Sequence, residues 1–262
     1  MSNLGLKAHG AAVLALVLLF LLGPFVLIAL AGLSAGDTLA FPPQGYSWRW
    51  LVAVFNMESF RASFWLSLQL AVFATAIALA VGIPAAYALV RYPLPGAEAI
   101  RSLVLAPIIV PGIIAGLALM RHAVVPLNIP VFWALMAAHV LLVVPYAVRV
   151  VSASLAHLRV DVEEAAVLLG ATRMQTFVKI VLPNISQGVV AAFILGFVTS
   201  FNQVPVSLFL TGPGISTLPV DMLGAMEFVY DPSIAALSTV LALFSMAVVL
   251  LAEKTLGLSK YV

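Results

Sequence analysis

The stretch DVEEAAVLLGATRMQTFVKIVLP, residues 161–183, decides how the chain is read, because it is a long polar interval between two very apolar runs. Asp161 and Glu164 have the spacing of a capping box, a side-chain acceptor at the N-cap and a carboxylate three residues on. Glu163 and Glu164 fall in the first turn, where the helix dipole favours anions. Gly170 can take the left-handed conformation that ends a helix. Thr172 and Gln175 repeat the capping-box spacing directly afterwards. The stretch predicts a short helix over 162–169, a glycine corner, and a second helix running toward Pro183. Ala165 and Ala166 leave little side chain on part of the first helix, so another backbone can approach closely. The caps alone are equally consistent with an ordinary helical loop between membrane spans.

Working outward, the composition sets the surroundings of this loop. The chain is 64% hydrophobic and 8% charged, with a mean hydropathy of +1.18. Repeated runs of about 18 or more apolar residues mark membrane helices. There is no cysteine, so disulfides and thiolate metal sites are excluded. A net charge of +2 is too small to imply nucleic acid.

Six spans are expected. The first covers 11–31, with Gly23-Pro24 as a kink. Ala29-Leu30-Ala31 is faintly similar to a signal-peptidase site, but the apolar run is longer than a signal h-region, so an uncleaved span is expected. Residues 34–61 read as an extracytoplasmic loop, with an interfacial helix from about Trp48, because Tyr46, Trp48 and Trp50 suit the membrane interface. The second span, 63–90, would be roughly 42 Å long as a helix, and Ala74, Ala78 and Gly82 give it a small-residue packing face. The third, 103–120, contains Pro107, Pro111 and a Gly112-xxx-Gly116 pair. The fourth, 131–148, holds His139, read as a hydrogen-bonded structural residue ahead of a proton carrier. The fifth covers 188–210. A turn at 211–214 and a short amphipathic segment over 218–231 lead to the sixth, 233–252.

Charge orients these spans. With the N-terminus inside, Lys7, Arg91, Arg101, Arg149, Arg159, Arg173, Lys179, Lys254 and Lys260 lie on the cytoplasmic side and Arg49, Arg61 and Arg121 outside, as the positive-inside rule requires. The 161–183 loop is then cytoplasmic, as are both termini. No span carries Asp, Glu, Lys or Arg at its centre, whereas ion-coupled transporters rely on such groups. No phosphate-binding G-x-x-x-x-G-K-[ST] loop, H-E-x-x-H or G-x-S-x-G is present. With no ion couple, nucleotide site or catalytic motif in the sequence, no enzyme activity is expected of this chain.

The loop also resembles a known family. Glu164-Ala165-Ala166, Gly170, Ile180, Leu182 and Pro183 match the EAA loop of bacterial ABC importer permeases at all seven defining positions. The resemblance covers about 63–252 and implies an all-α membrane protein with the type I importer permease fold. It divides the chain into 1–62, a permease domain over 63–252, and a tail over 253–262. It implies that Glu163, Glu164, Ala165, Ala166, Leu168, Leu169 and Gly170 form a coupling helix docked on an ATPase. The implied partners are an ATPase dimer, a second and different permease subunit, and an extracytoplasmic solute-binding protein, in a bacterial inner membrane. ATP and magnesium would belong to the ATPase, with no cofactor here.

Ser200-Phe-Asn-Gln-Val204, Thr211-Gly-Pro-Gly214, Leu218-Pro-Val220 and Asp231-Pro232 resemble the spermidine/putrescine permease subgroup, which also includes permeases for phosphonates, amino-acid-like compounds and ferric iron. Polyamine is the favoured solute. That subgroup commonly has acidic residues after Ser-Phe, where this chain has the neutral amides Asn202 and Gln203. Ser200, Asn202 and Gln203 are the candidates for the solute path, with interhelical hydrogen bonding as the other role for the amides. Two readings of other classes are a stand-alone secondary transporter and an intramembrane enzyme built on His139 and a neighbouring serine.

Overall fold

A computed structural model describes residues 3–228 and 230–256. Lys260, assigned to the cytoplasmic tail, lies outside the described residues. Among the described residues the regular elements are helices, with only isolated bridges at Ser34–Tyr46 and Gly212–Ile215. The helices are α1 (Asn3–Gly32), α2 (Arg49–Asn56), α3 (Glu58–Arg91), α4 (Ala97–Ile109), α5 (Gly112–Leu119), α6 (Val125–Leu127), α7 (Val131–His157), α8 (Val160–Leu168), α9 (Arg173–Thr176), α10 (Leu182–Asn184), α11 (Ser186–Phe201), α12 (Leu218–Phe228) and α13 (Ser233–Leu256). Wider π-type turns join α5 to α6 at Met120–Val124 and α9 to α10 at Phe177–Val181.

Among the described residues, four helical segments are long and apolar enough to cross a membrane: His9–Gly32, Glu58–Arg91, Val131–His157 and Ser233–Leu251. Two bent pairs bring the number to six if each is one span. The third expected span is one of them. It is broken between α4 and α5, and the two arms meet at 94°. Pro111 supplies the cause, because a proline crowds the residue before it out of the helical region. Val110 is accordingly extended, with φ −73° and ψ 124°. The fifth expected span, 188–210, also fails to run through. Its helix, α11, ends at Phe201, and Ser207–Phe209 is a separate 3-10 turn. Pro205 lacks the N–H that a continuing helix needs. The other bent pair turns by 70° between Arg173–Asn184 and Ser186–Phe201.

The fourth span runs longer than expected. The charge at Arg149 suggested an end at 148, but α7 continues to His157, since one charge does not break helical hydrogen bonding. The amphipathic segment expected over 218–231 is not borne out in α12. Apolar residues gather on one side of α2, as expected of an interfacial helix, but not of α12.

The chain divides into two compact units, Met1–Arg61 with Met222–Ala247, and Ala62–Asp221 with Val248–Val262. In the first, Gly32 meets the backbone of Ala236, where an added Cβ would lie 2.7 Å from the amide nitrogen. Trp50 Nε1 donates to the Gly36 carbonyl at 3.0 Å, and Arg49 pairs with Asp37.

The second unit holds a core of α3, α7 and α11. Ala74 and Ala78 are fully buried, and Gly82 faces Ala147 of α7 closely enough that a Cβ would come within 2.8 Å of the alanine methyl. Gly196 of α11 fits equally tightly against Val143 and Thr75. Small residues here let backbones approach, as membrane helix packing demands. The Gly112-xxx-Gly116 pair also packs closely, but against the non-helical chain at Pro205 and Val206 rather than another helix.

Candidate functional site

The 161–183 loop is built from α8, a glycine corner and α9. Its first capping box does not form. The helix starts at Val160 with Arg159 as N-cap and no side-chain cap, and Asp161 instead pairs with Arg159. The end matches the expectation. Gly170 has φ +94°, Ala171 N–H donates to the Ala166 carbonyl at 3.0 Å, and Gly170 N–H donates to the Val167 carbonyl at 2.9 Å. These two bonds are the Schellman pattern, and the left-handed residue it requires favours glycine. The second capping box forms in full. Gln175 N–H donates to Thr172 Oγ1 at 3.2 Å, and Thr172 N–H donates to Gln175 Oε1 at 2.9 Å.

These caps present an unusual surface. Leu168 is 87% exposed and Leu169 89%. Val162, Val167 and Met174 are exposed beside them. Glu164, Ala165 and Gly170 are exposed as well, and Ala166 is half-buried. Glu163 is different. It is 7% exposed and is the only buried residue of α8. Its Oε1 accepts from Arg91 Nε at 2.7 Å, and its Oε2 accepts from Tyr87 Oη at 2.7 Å. Arg91 Nη2 also donates to the Leu158 carbonyl at 2.8 Å. Tyr87 packs on Phe177, with ring centres 4.9 Å apart. Arg173 lies over the Tyr92 ring and donates to its hydroxyl at 3.3 Å. A groove of about 440 Å³ runs beside α8, bordered by Tyr92, Glu164, Val167, Leu168 and Arg173.

The residues assigned to a solute path are not brought together as one surface. Ser200 is buried, and its Oγ lies 2.7 Å from His139 Nδ1. His139 Nε2 lies 3.0 Å from Ser207 Oγ. One ring nitrogen donates and the other accepts, so a neutral imidazole satisfies both serines. Asn202 is exposed and donates to the Val198 carbonyl at 3.1 Å. Gln203 is half-buried, with Nε2 next to Gly112. Ser207 was missed in the sequence. The only signal for it was a hydroxyl just beyond the Pro205 break.

His139 ties α7 to α11 and to the 207–209 turn. His139→Leu leaves two buried hydroxyls short of a partner, and hydrogen bonds within membrane bundles average about 0.6 kcal/mol each. Allowing for the unsatisfied groups, the variant is expected to lose about 1–2 kcal/mol. Thermal unfolding of the detergent-solubilised chain measures this, and an unchanged midpoint would remove the structural role.

The chain's relatives fit this architecture. Residues 80–254 match the family model described as binding-protein-dependent transport system inner membrane component. The chain is 30% identical over 211 residues to the spermidine/putrescine transport system permease protein PotC of Haemophilus influenzae, covering 80% of this chain and 82% of that one. It is 29% identical over 232 residues to the putrescine transport system permease protein PotI of Escherichia coli, covering 85% and 81%. Its fold is similar to a chain of a bacterial alginate ABC transporter solved in complex with an alginate pentasaccharide-bound periplasmic protein, with a TM-score of 0.70, 18% identity, and coverage of 96% and 93%. Family membership sets aside the secondary-transporter and intramembrane-enzyme readings. This multi-pass membrane chain belongs to the family of inner-membrane components of binding-protein-dependent transport systems, as a permease subunit and not an enzyme.

Proposed function

We propose that the chain is half of the translocation path of an ATP-driven importer and that α8 with Gly170 is its contact with an ATPase dimer. One observation carries this reading. Leu168 and Leu169 are almost fully exposed at the tip of a doubly capped loop, and exposed leucines at such a tip await a protein surface. Glu164, Ala165, Ala166 and Gly170 complete the contact. The positive-charge count puts that tip in the cytoplasm of a bacterial cell, with both termini on the same side. ATP and magnesium are then bound by the partner. A second, different permease subunit completes the path, and an extracytoplasmic binding protein delivers the solute.

Polyamines are the proposed solutes, supported by the relatives named for spermidine and putrescine transport. Asn202 is the exposed polar group closest to the break after α11, and Gln203 adjoins it. Both are neutral, so a polycation is held there by amide dipoles and not by an ion pair.

Purification of the tagged chain from its native membrane tests the assembly, and uptake of labelled putrescine by cells expressing it tests the solute. Recovery of an ATPase and a second permease is the expected result. Recovery of the chain alone would overturn the importer assembly. Gly170→Asp is expected to abolish uptake. A Cβ added at Gly170 would meet nothing within 4 Å, so the substitution does not clash internally. It strains a left-handed residue by about 1 kcal/mol or more and places a charge in the docked contact. Wild-type uptake by this variant would refute the contact.

A further inference from the structure

We propose that Glu163 is a positioning residue for coupling, whose ion pair with Arg91 sets the rotation of α8 and makes α8 travel with the end of α3. The proposal deepens the reading of α8 as the docking helix and rests on it.

Four observations lead here. Glu163 is the only buried residue of α8, so no apolar face anchors that helix. Both side chains of the pair are 10% exposed. Each carboxylate oxygen has its own donor, Arg91 or Tyr87. The same guanidinium holds the carbonyl of Leu158, the C-cap of α7 two residues before α8 begins.

An apolar face tolerates sliding, because dispersion contacts are not directional. Charge-assisted bonds at 2.7 Å have one geometry. The clamp therefore fixes which way α8 faces, with Glu163 inward and Leu168 and Leu169 outward. Once an exposed apolar helix has lost this anchor it can rotate and bury its leucines against the chain. Breaking one side of a buried pair also leaves an uncompensated charge, whereas replacing both partners with apolar residues of similar volume is often neutral for folding. That contrast separates positioning from stability.

The chain contains no cysteine, so spin labels can be placed at will. Asp161→Cys lies on the exposed start of α8, and Val81→Cys lies on α3, where Val81 is half-exposed. The distance between the two labels is read in the complex purified from membrane, without nucleotide and with a non-hydrolysable ATP analogue. A single narrow distance, the same in both states, is expected for the background carrying Glu163. E163Q is expected to broaden and shift it. The double variant E163L/R91M is expected to do the same while the amount of chain in the membrane is unchanged. A narrow, unshifted distance in E163Q and E163L/R91M overturns the proposal, and so does a background distance that changes with nucleotide. If no ATPase is recovered with the background, the docking reading fails by itself, and the nucleotide-free comparison still decides the clamp.

Discussion

Leu168→Lys is expected to eliminate the ATPase from the purified complex while leaving the level of the chain in the membrane unchanged. Leu168 is the last residue of α8 and Leu169 its C-cap. Burying a leucine is worth about 1.5–3 kcal/mol, so the pair supplies about 3–6 kcal/mol of docking. Removing one leucine and forcing an ammonium into the same contact costs about 4 kcal/mol, close to a thousandfold in Kd. Lysine is the sharper probe than aspartate, because a cation at a helix C-terminus is favoured by the dipole. The helix is kept and only its surface is changed. Asp161→Ala serves as control, since its pairing with Arg159 is exposed at both ends and such pairs contribute little. Pull-down followed by quantitative immunoblotting reads the result. Undiminished ATPase with Leu168→Lys would sink the docking surface.

Gly116→Val is the second large effect, and it acts within the chain. A Cβ at Gly116 would lie 2.5 Å from the Val206 carbonyl oxygen and 3.2 Å from its carbon and Cα. These are backbone atoms of a buried residue, so no side chain can swing away. Either α5 or the 202–206 chain must shift, at an overpacking cost of about 3 kcal/mol. The variant is expected to show a lower unfolding midpoint and reduced uptake together. Gly116→Ala is expected to fall between it and wild type. Gly23→Ala is expected not to lower the midpoint, since a Cβ there would meet nothing within 4 Å. A wild-type midpoint for Gly116→Val would contradict the close approach.

What could be read from sequence was what is local. The Thr172–Gln175 box and the Gly170 corner each depend on four or five adjacent residues, and both formed as expected. The first box failed because a start two residues earlier, at Arg159, placed Asp161 inside the helix. Long apolar runs concealed the two broken spans. The Val-Pro pairs at 110–111 and 204–205 carried the signal, but hydropathy averages over them. Glu163 reads like its neighbour Glu164, and only one of them is buried. The difference lies in Arg91 and Tyr87, more than seventy positions earlier, and no local pattern reports such a pair. The Gly112-xxx-Gly116 pair stood out in the sequence, but its partner, the chain at Pro205 and Val206, lies about ninety positions later and no local pattern reports it.

The break at Val110–Pro111 has a mechanical consequence. A continuous helix is stiff, since bending it stretches hydrogen bonds along one side. At Pro111 there is no amide hydrogen, so that bond is missing before any motion begins. The two arms can change their angle by turning a few backbone torsions. Thirteen residues make α4 an arm about 20 Å long, so a swing of about 10° carries its far end about 3.5 Å. A permease has to reopen its path at every turnover, and this joint lets one arm swing without unwinding either helix.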